Sequence, residues 1–143
     1  MAKMKAILVA VDGSAHSDLA VQHALEQIAS GLAAELHLLN VQPNLGASVA
    51  AFVSREQIDS HLREEGQKAL ASAVEIARKA AVPAKVHIGV GRQGEIVADF
   101  AKKIGAGLVV LGTRGHTGLA GVLLGSVAQD VIAHSNVPVT LVK

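Results

Sequence analysis

The chain has 143 residues, of which half are hydrophobic, 17% are charged and only two are aromatic, and its formal net charge is +1. This composition suits one globular domain over residues 1–143 and excludes a disordered chain. Without a basic run or aromatic stacking platforms, nucleic-acid binding is unsupported, and the absence of cysteine excludes disulfides and thiolate zinc sites.

The first predicted element is a buried strand over residues 6–11, because the run is continuously apolar and rich in Ile and Val. That run is too short for a secretion signal or a membrane span. We therefore expect a cytoplasmic protein without membrane insertion. Asp12, Gly13 and Ser14 end the strand, and either Ser14 or Ser17 could cap the helix that follows. A second strand is predicted over residues 35–41.

The middle of the chain begins with residues 42–53, which we interpret as a long loop and a candidate flap over a site. Ser54 and Gln57 then match a capping box, which predicts a helix from there to about residue 80. Its apolar residues at helical spacing predict the inner face: Ile58, Leu62, Ala69, Leu70, Ala73, Val74 and Ala77.

The second half continues the alternation with strands predicted over 85–90, 108–111 and 137–142. A helix opens at Gly94 and ends before Gly105, a typical C′ residue, and another spans about 126–134. The pattern predicts an α/β fold with an open, five-stranded, mostly parallel sheet and helices on both faces. Pro138 places the last strand at an edge. There we favour pairing with a second subunit in a homodimer over the alternative that a loop covers the strand.

The glycine-rich segment 112–125 follows a strand and precedes a helix. Glycines allow main-chain N–H groups to approach an anion closely. Ser126 is placed to cap the following helix and to contact a phosphate oxygen, while the helix N-terminus favours phosphate through its free N–H groups and dipole. Arg114 could add a bidentate contact.

Within this segment Gly112, Gly115, Gly125 and Ser126 follow the spacing Gly, two residues, Gly, nine residues, Gly, Ser. In this spacing, in the opening strand that runs into residues 11–14 and in residues 136–139, the chain resembles the universal stress protein family and its ATP-binding subgroup. The resemblance extends over residues 4–142. It implies a Rossmann-like fold of the adenine nucleotide alpha hydrolase type.

The resemblance also implies a role for each matched position. Asp12 would hydrogen-bond the ribose hydroxyls, Val41 would contact adenine, and the motif glycines with Ser126 and the Val127 N–H would hold the phosphates. The full candidate site comprises Ala10, Val11, Asp12, Val41, Leu111, Gly112, Arg114, Gly115, His116, Gly125, Ser126 and Val127. The implied ligand is ATP, with or without Mg²⁺, and the implied role is a nucleotide-responsive regulator in the stress response that acts on an unidentified protein partner.

A second glycine cluster, Gly89, Gly91 and Gly94, has the spacing of a dinucleotide fingerprint. No acidic residue for a ribose stands about twenty residues further on, so we favour a tight turn that lines the same crevice. The chain contains no Gly-Lys pair, which argues against a P-loop ATPase.

The remaining polar residues give little support for catalysis. The seven histidines contain no HExxH pattern, and apart from His116 we interpret them as surface or core residues without a metal. Asp12 is the only acid near the proposed site, and no Asp, Glu or Gln lies between Gly112 and Ser126 to orient a water. We expect an ATP binder with little or no hydrolysis. A slow ATPase on the same fold, and a protein-binding regulator that does not bind nucleotide, remain open.

Overall fold

A computed structural model describes residues 6–46, 51–113 and 124–143. In these ranges strands and helices alternate as predicted, with ends that differ from prediction by one or two residues: β1 (Ala6–Ala10), α1 (Ala15–Ala29), β2 (Glu35–Gln42), α2 (Arg55–Lys79), β3 (Ala84–Val90), α3 (Gln93–Ile104), β4 (Leu108–Gly112), α4 (Ser126–His134) and β5 (Val139–Val142). Strand β5 starts two residues late because the Val137 N–H donates to Ser135 Oγ at 3.0 Å in a turn. No helix in the described ranges is long and apolar enough to cross a bilayer.

The strands form one parallel sheet in the order β3-β2-β1-β4-β5. Alternate residues of each strand point to opposite faces, so Ile7 and Val9 pack against α1 and α2, whereas Ala6 and Leu8 pack against α3 and α4. Both faces of the sheet are therefore covered by helices, which confirms the predicted α/β fold.

The two edges of the sheet are β3 and β5. The edge position predicted for the last strand is thus confirmed. Strand β3, at the other edge, leaves the side chains of Val86 and Val90 each 45% exposed, because helices cover an edge strand less completely than a central one.

Local capping chemistry fixes several helix ends. Of the two serines considered for α1, Ser14 is the cap, and its Oγ accepts a hydrogen bond from the Ser17 N–H at 3.2 Å. The predicted capping box of Ser54 and Gln57 is present in both directions. Gly105 ends α3 with φ of 66°, the left-handed conformation expected of a glycine at this place.

The inner face of α2 departs from prediction at two positions. Leu62, Leu70, Ala73 and Ala77 are buried and Ile58 and Ala69 are half-buried, but the prediction for Val74 was wrong, since its side chain is 39% exposed. Val74 lies 100° round the helix from Ala73 and so falls beside the buried stripe. Gly66 is also buried, and a Cβ there would come within 2.7 Å of Ile88 Cδ1. The missing side chain lets α2 approach β3 closely.

Candidate functional site

A cavity of about 230 Å³ opens at the carboxyl ends of β1, β2 and β4, beside the N-terminus of α4. Parallel α/β sheets bind ligands at this edge. The cavity brings together all nine predicted site residues that the structure describes: Ala10, Val11, Asp12, Val41, Leu111, Gly112, Gly125, Ser126 and Val127. The other three, Arg114, Gly115 and His116, lie outside the described residues.

The turn after β1 holds Asp12 at the mouth of this cavity. The Val11 N–H continues the ladder to the Leu39 carbonyl at 2.8 Å, and the Val11 carbonyl accepts a hydrogen bond from Asn40 Nδ2 at 2.8 Å. Asp12 Oδ1 in turn accepts the Ser14 N–H at 2.9 Å, just before α1 begins. The Asp12 carboxylate is therefore oriented by the start of the helix and stays half-buried in the cavity wall.

The two ends of the glycine-rich segment are joined by main-chain hydrogen bonds. The Thr113 N–H donates to the Val142 carbonyl at 2.9 Å, and the Gly125 N–H donates to the Thr113 carbonyl. The N-terminus of α4 is thereby held against the end of β4. Gly112 and Gly125, thirteen positions apart in the sequence, line the same cavity.

The prediction that Ser126 caps α4 was wrong. Gly125 is the N-cap residue, Ser126 is the first helical residue, and no side chain in the described ranges makes a cap hydrogen bond. A glycine cap supplies no side-chain acceptor for the N–H groups of the first turn. These groups lie where the cavity is lined by Ser126, Val127 and Ala128, which suits them to an external anion.

Gly112 has a packing role that the sequence motif did not indicate. A Cβ at Gly112 would come within 2.8 Å of His16 Cβ and 2.9 Å of the His16 carbonyl oxygen. The bare backbone therefore lets the first turn of α1 lie directly against the end of β4. A glycine at this position serves the fold as well as the cavity.

The second glycine cluster forms a tight turn between β3 and α3, as favoured from the sequence. Gly91 adopts φ of 141°, and its N–H donates to the Gln42 carbonyl at 2.9 Å. The Gly94 N–H donates to Asp130 Oδ2 at 3.1 Å. Because these N–H groups already have partners within the protein, the turn is not arranged to hold a pyrophosphate.

Asp130 ties the turn to α4 through further polar contacts. Its carboxylate accepts two hydrogen bonds from Arg92, at 2.7 Å from Nη2 and 3.1 Å from Nε. Arg92 Nη1 also lies 3.7 Å from Glu95 Oε1, and His134 Nδ1 lies 3.4 Å from Asp130 Oδ1. The first turn of α3 and the helix that borders the cavity are therefore fixed relative to each other.

A neighbouring cavity of about 430 Å³ shares Asp12, Val41 and Gln93 with the first and extends towards α2. It brings Glu65 near the site, an acid that the sequence reasoning missed because no motif connects α2 to the strand ends. Glu65 Oε1 lies 3.4 Å from Lys68 Nζ on the same helix. This cavity does not include Gly112 or the first turn of α4.

Two histidines outside the cavities form a cluster that sequence reasoning also missed. His37 Nδ1 and His87 Nε2 are 3.0 Å apart, their rings are stacked, and Phe100 packs on His87 at 4.5 Å between ring centroids. Burial lowers the pKa of both imidazoles below the usual value, and the nearby His37 charge lowers the pKa of His87 further. Within the described ranges, no three His, Asp or Glu side chains are grouped to hold a metal ion.

Comparison with known proteins gives a consistent result. A model of the universal stress protein family matches residues 3–143. A universal stress protein of Methanocaldococcus jannaschii is 38% identical over 142 residues, which covers 97% of this chain and 82% of that protein.

Two solved structures share the fold. A universal stress protein from Archaeoglobus fulgidus in complex with dAMP is 28% identical with a TM-score of 0.71, covering 97% of this chain and 98% of its own. A universal stress protein in complex with cAMP is 26% identical with a TM-score of 0.74, covering 99% of both chains.

Proposed function

The chain belongs to the universal stress protein family, and we propose that it binds adenine nucleotides, with ATP as the physiological ligand, in the cavity at the carboxyl edge of the sheet. The observation that carries this proposal is that three features line one cavity: the Asp12 carboxylate, the apolar end of β2 at Val41, and the N-terminus of α4, whose N-cap is Gly125. Relatives with the same fold bind dAMP and cAMP.

Each part of the cavity suits one part of the nucleotide. The first N–H groups of α4 favour phosphate oxygens, and Asp12 offers acceptors for ribose hydroxyls. Val41 with Leu39 and Val97 provides an aliphatic surface for the base. With Mg²⁺ present, the ion would be carried largely by the phosphates, because Mg²⁺ typically takes only one or two carboxylates from a protein. Among the described residues that line this cavity the single acid is Asp12, which we assign to the ribose.

Calorimetry with ATP, ADP, AMP and adenosine, each with and without Mg²⁺, tests the proposal. We expect saturable binding that strengthens as phosphates are added, because the phosphate contacts lie at the N-terminus of α4. Absence of heat with millimolar ATP would refute nucleotide binding and would leave a purely protein-binding regulator.

We further propose little or no hydrolysis. Attack on the γ-phosphate requires an oriented water and a positioning group, whereas Asp12 is committed to the ribose end and Glu65 lines the neighbouring cavity and pairs with Lys68. A phosphate-release assay should stay at background. Clear turnover that disappears in Asp12→Ala would make the protein an ATPase instead.

The second part of the proposal is a homodimer formed through β5. The carbonyls of Pro138 and Val142 face β4, where they accept the N–H groups of Val109 and Thr113. In a strand, alternate residues turn their main-chain groups to opposite sides, so Val139 and Leu141 present theirs to the open edge. An apolar edge of this kind is stabilised by pairing with another strand.

Light scattering coupled to size exclusion tests the dimer. Thr140→Lys would place a charge on β5 and should shift the protein towards monomer. The matched control is Val86→Lys, which adds the same charge to the edge strand on the opposite side of the sheet and should leave the dimer intact. If Thr140→Lys remains dimeric, or the wild type is a monomer, the β5 interface is excluded.

In the cell we propose a cytoplasmic regulator whose nucleotide occupancy changes its interaction with a protein partner. Affinity purification with and without ATP would identify such a partner, and a variant that no longer binds nucleotide would serve as the control. Equal recovery of every protein in both conditions would contradict nucleotide control.

A further inference from the structure

Gln93 lies at a special position between the two cavities. It is the first residue of α3, directly after the turn that follows β3, and its half-buried side chain lines both cavities. The turn itself is held by the bonds of Gly91 to Gln42 and of Gly94 to Asp130. The backbone that carries Gln93 is therefore fixed.

Three side-chain amides line the two cavities, and they differ in how they are bonded. Asn40 donates to the Val11 carbonyl at 2.8 Å, and Gln42 Nε2 donates to Asn40 Oδ1 at 2.6 Å. For the Gln93 amide the described part of the chain supplies no hydrogen-bond partner, and the N-cap residue Arg92 makes no side-chain cap bond. Gln93 is thus the amide that keeps both its donor and its acceptor for a ligand.

The strand order shows which part of a ligand Gln93 would meet. Along the carboxyl edge the sheet places Gly112 at the end of β4, Asp12 after β1, Val41 at the end of β2, and Gln93 after β3. If phosphates occupy the β4 end and the ribose lies at Asp12, the base extends past Val41 towards Gln93. This step rests on the nucleotide-binding function proposed above.

We propose that the Gln93 amide hydrogen-bonds the edge of the adenine base and makes the site selective for a 6-amino purine. An amide presents an acceptor beside a donor. Adenine presents the complement, with its 6-amino donor beside a ring-nitrogen acceptor on either side, and glutamine pairs with it in this way in DNA recognition.

The charged neighbour of Gln93 does not compete for the base. The N7 and O6 acceptors of guanine are recognised best by the paired donors of an arginine, but the Arg92 guanidinium is bonded to Asp130 at 2.7 and 3.1 Å and lies near Glu95. Around Gln93 the base would meet the buried side chains of Val41 and Val97. Where the base and these side chains displace water from each other, a hydrogen bond left unmade is costly.

The test measures affinities for ATP and for purine riboside 5′-triphosphate, which lacks the 6-amino group, in the wild type and in Gln93→Leu. The wild type should bind ATP about five- to tenfold more tightly than the analogue, the effect of one or two neutral hydrogen bonds. Gln93→Leu should bind both triphosphates equally, at the affinity of the wild type for the analogue. The matched control is Gln22→Leu on the exposed face of α1, which should keep the wild-type preference.

Gln93→Glu provides a second variant of almost unchanged size. A carboxylate in the first turn is compatible with α3 because it complements the helix dipole, but it replaces the donor by an acceptor and should weaken ATP binding. If the preference for ATP persists in Gln93→Leu, the inference fails while nucleotide binding stands. If the wild type binds neither triphosphate, both proposals fail.

Discussion

Replacing Gly94 by alanine tests whether the contact between α3 and α4 depends on a missing side chain. A Cβ at this position would lie 2.7 Å from the Asp130 carbonyl carbon and still closer to the Asp130 carboxylate. Helices α3 and α4 would have to move apart. The hydrogen bond from the Gly94 N–H to Asp130 and the ion pair between Arg92 and Asp130 would both be distorted.

The size of the effect follows from these contacts. Overpacking costs about 1–3 kcal/mol, and loss of a hydrogen bond to a charged group adds about 1.5–3 kcal/mol. Alanine returns up to about 1 kcal/mol through its higher helix propensity, and the exposed Arg92 contact contributes little. We expect Gly94→Ala to lower the free energy of unfolding by about 1.5–5 kcal/mol.

Urea denaturation followed by far-ultraviolet circular dichroism is the suitable assay, because the chain has no Trp or Tyr to report by fluorescence. All variants should be compared at one protein concentration. In an Asp130→Ala background the cost of Gly94→Ala should fall, since two of the three nearest atoms belong to the Asp130 carboxylate. A loss below about 0.5 kcal/mol in the wild-type background, typical of a neutral surface change, would refute this account of the contact.

Three further predictions concern the histidine cluster, a cap and the phosphate end of the cavity. Because burial lowers the pKa of His37 and His87 in the folded protein, protons bind preferentially to the unfolded chain below about pH 6.5. The contribution of the two histidines to the free energy of unfolding should therefore be complete above that pH and decline as the pH falls. Urea midpoints measured from pH 8 to 5 should depend less on pH in His87→Leu than in the wild type. Ser54→Ala removes half of the capping box of α2 and should lower the free energy of unfolding by about 1 kcal/mol, checked by the same denaturation, whereas an unchanged midpoint would mean that the cap contributes nothing. Ser126→Asp places a negative charge where α4 would receive phosphates, so calorimetry should show weaker binding of ATP with adenosine nearly unaffected; equal loss for both ligands would contradict the assigned orientation.

The alternation of strands and helices could be predicted because it depends on local patterns. Strands buried on both faces have continuous apolar runs, as in β1, and the cap at Ser54 is encoded within four residues. The family resemblance implied that Asp12 and the motif glycines face one crevice, and the structure places Gly112, Gly125 and Asp12 along one cavity.

Features that depend on contacts between distant elements could not be predicted in this way. The burial of Gly66 results from its approach to Ile88, the pairing of His37 with His87 requires two neighbouring strands, and the proximity of Glu65 to the site depends on how α2 packs. The misassigned cap at Ser126 has a different origin. Serine and glycine are both acceptable caps, and only the backbone conformation shows that Gly125 occupies the position.

The hydrogen bond between the Gly125 N–H and the Thr113 carbonyl has a consequence for sequence variation. Both partners are main-chain atoms, so substitution of the Thr113 side chain cannot remove the bond, and at position 125 only proline would eliminate the donor. The attachment of α4 to the end of β4 therefore does not depend on the side chain at either of these two positions. A relative with different side chains at both positions can keep the same helix end at the same strand.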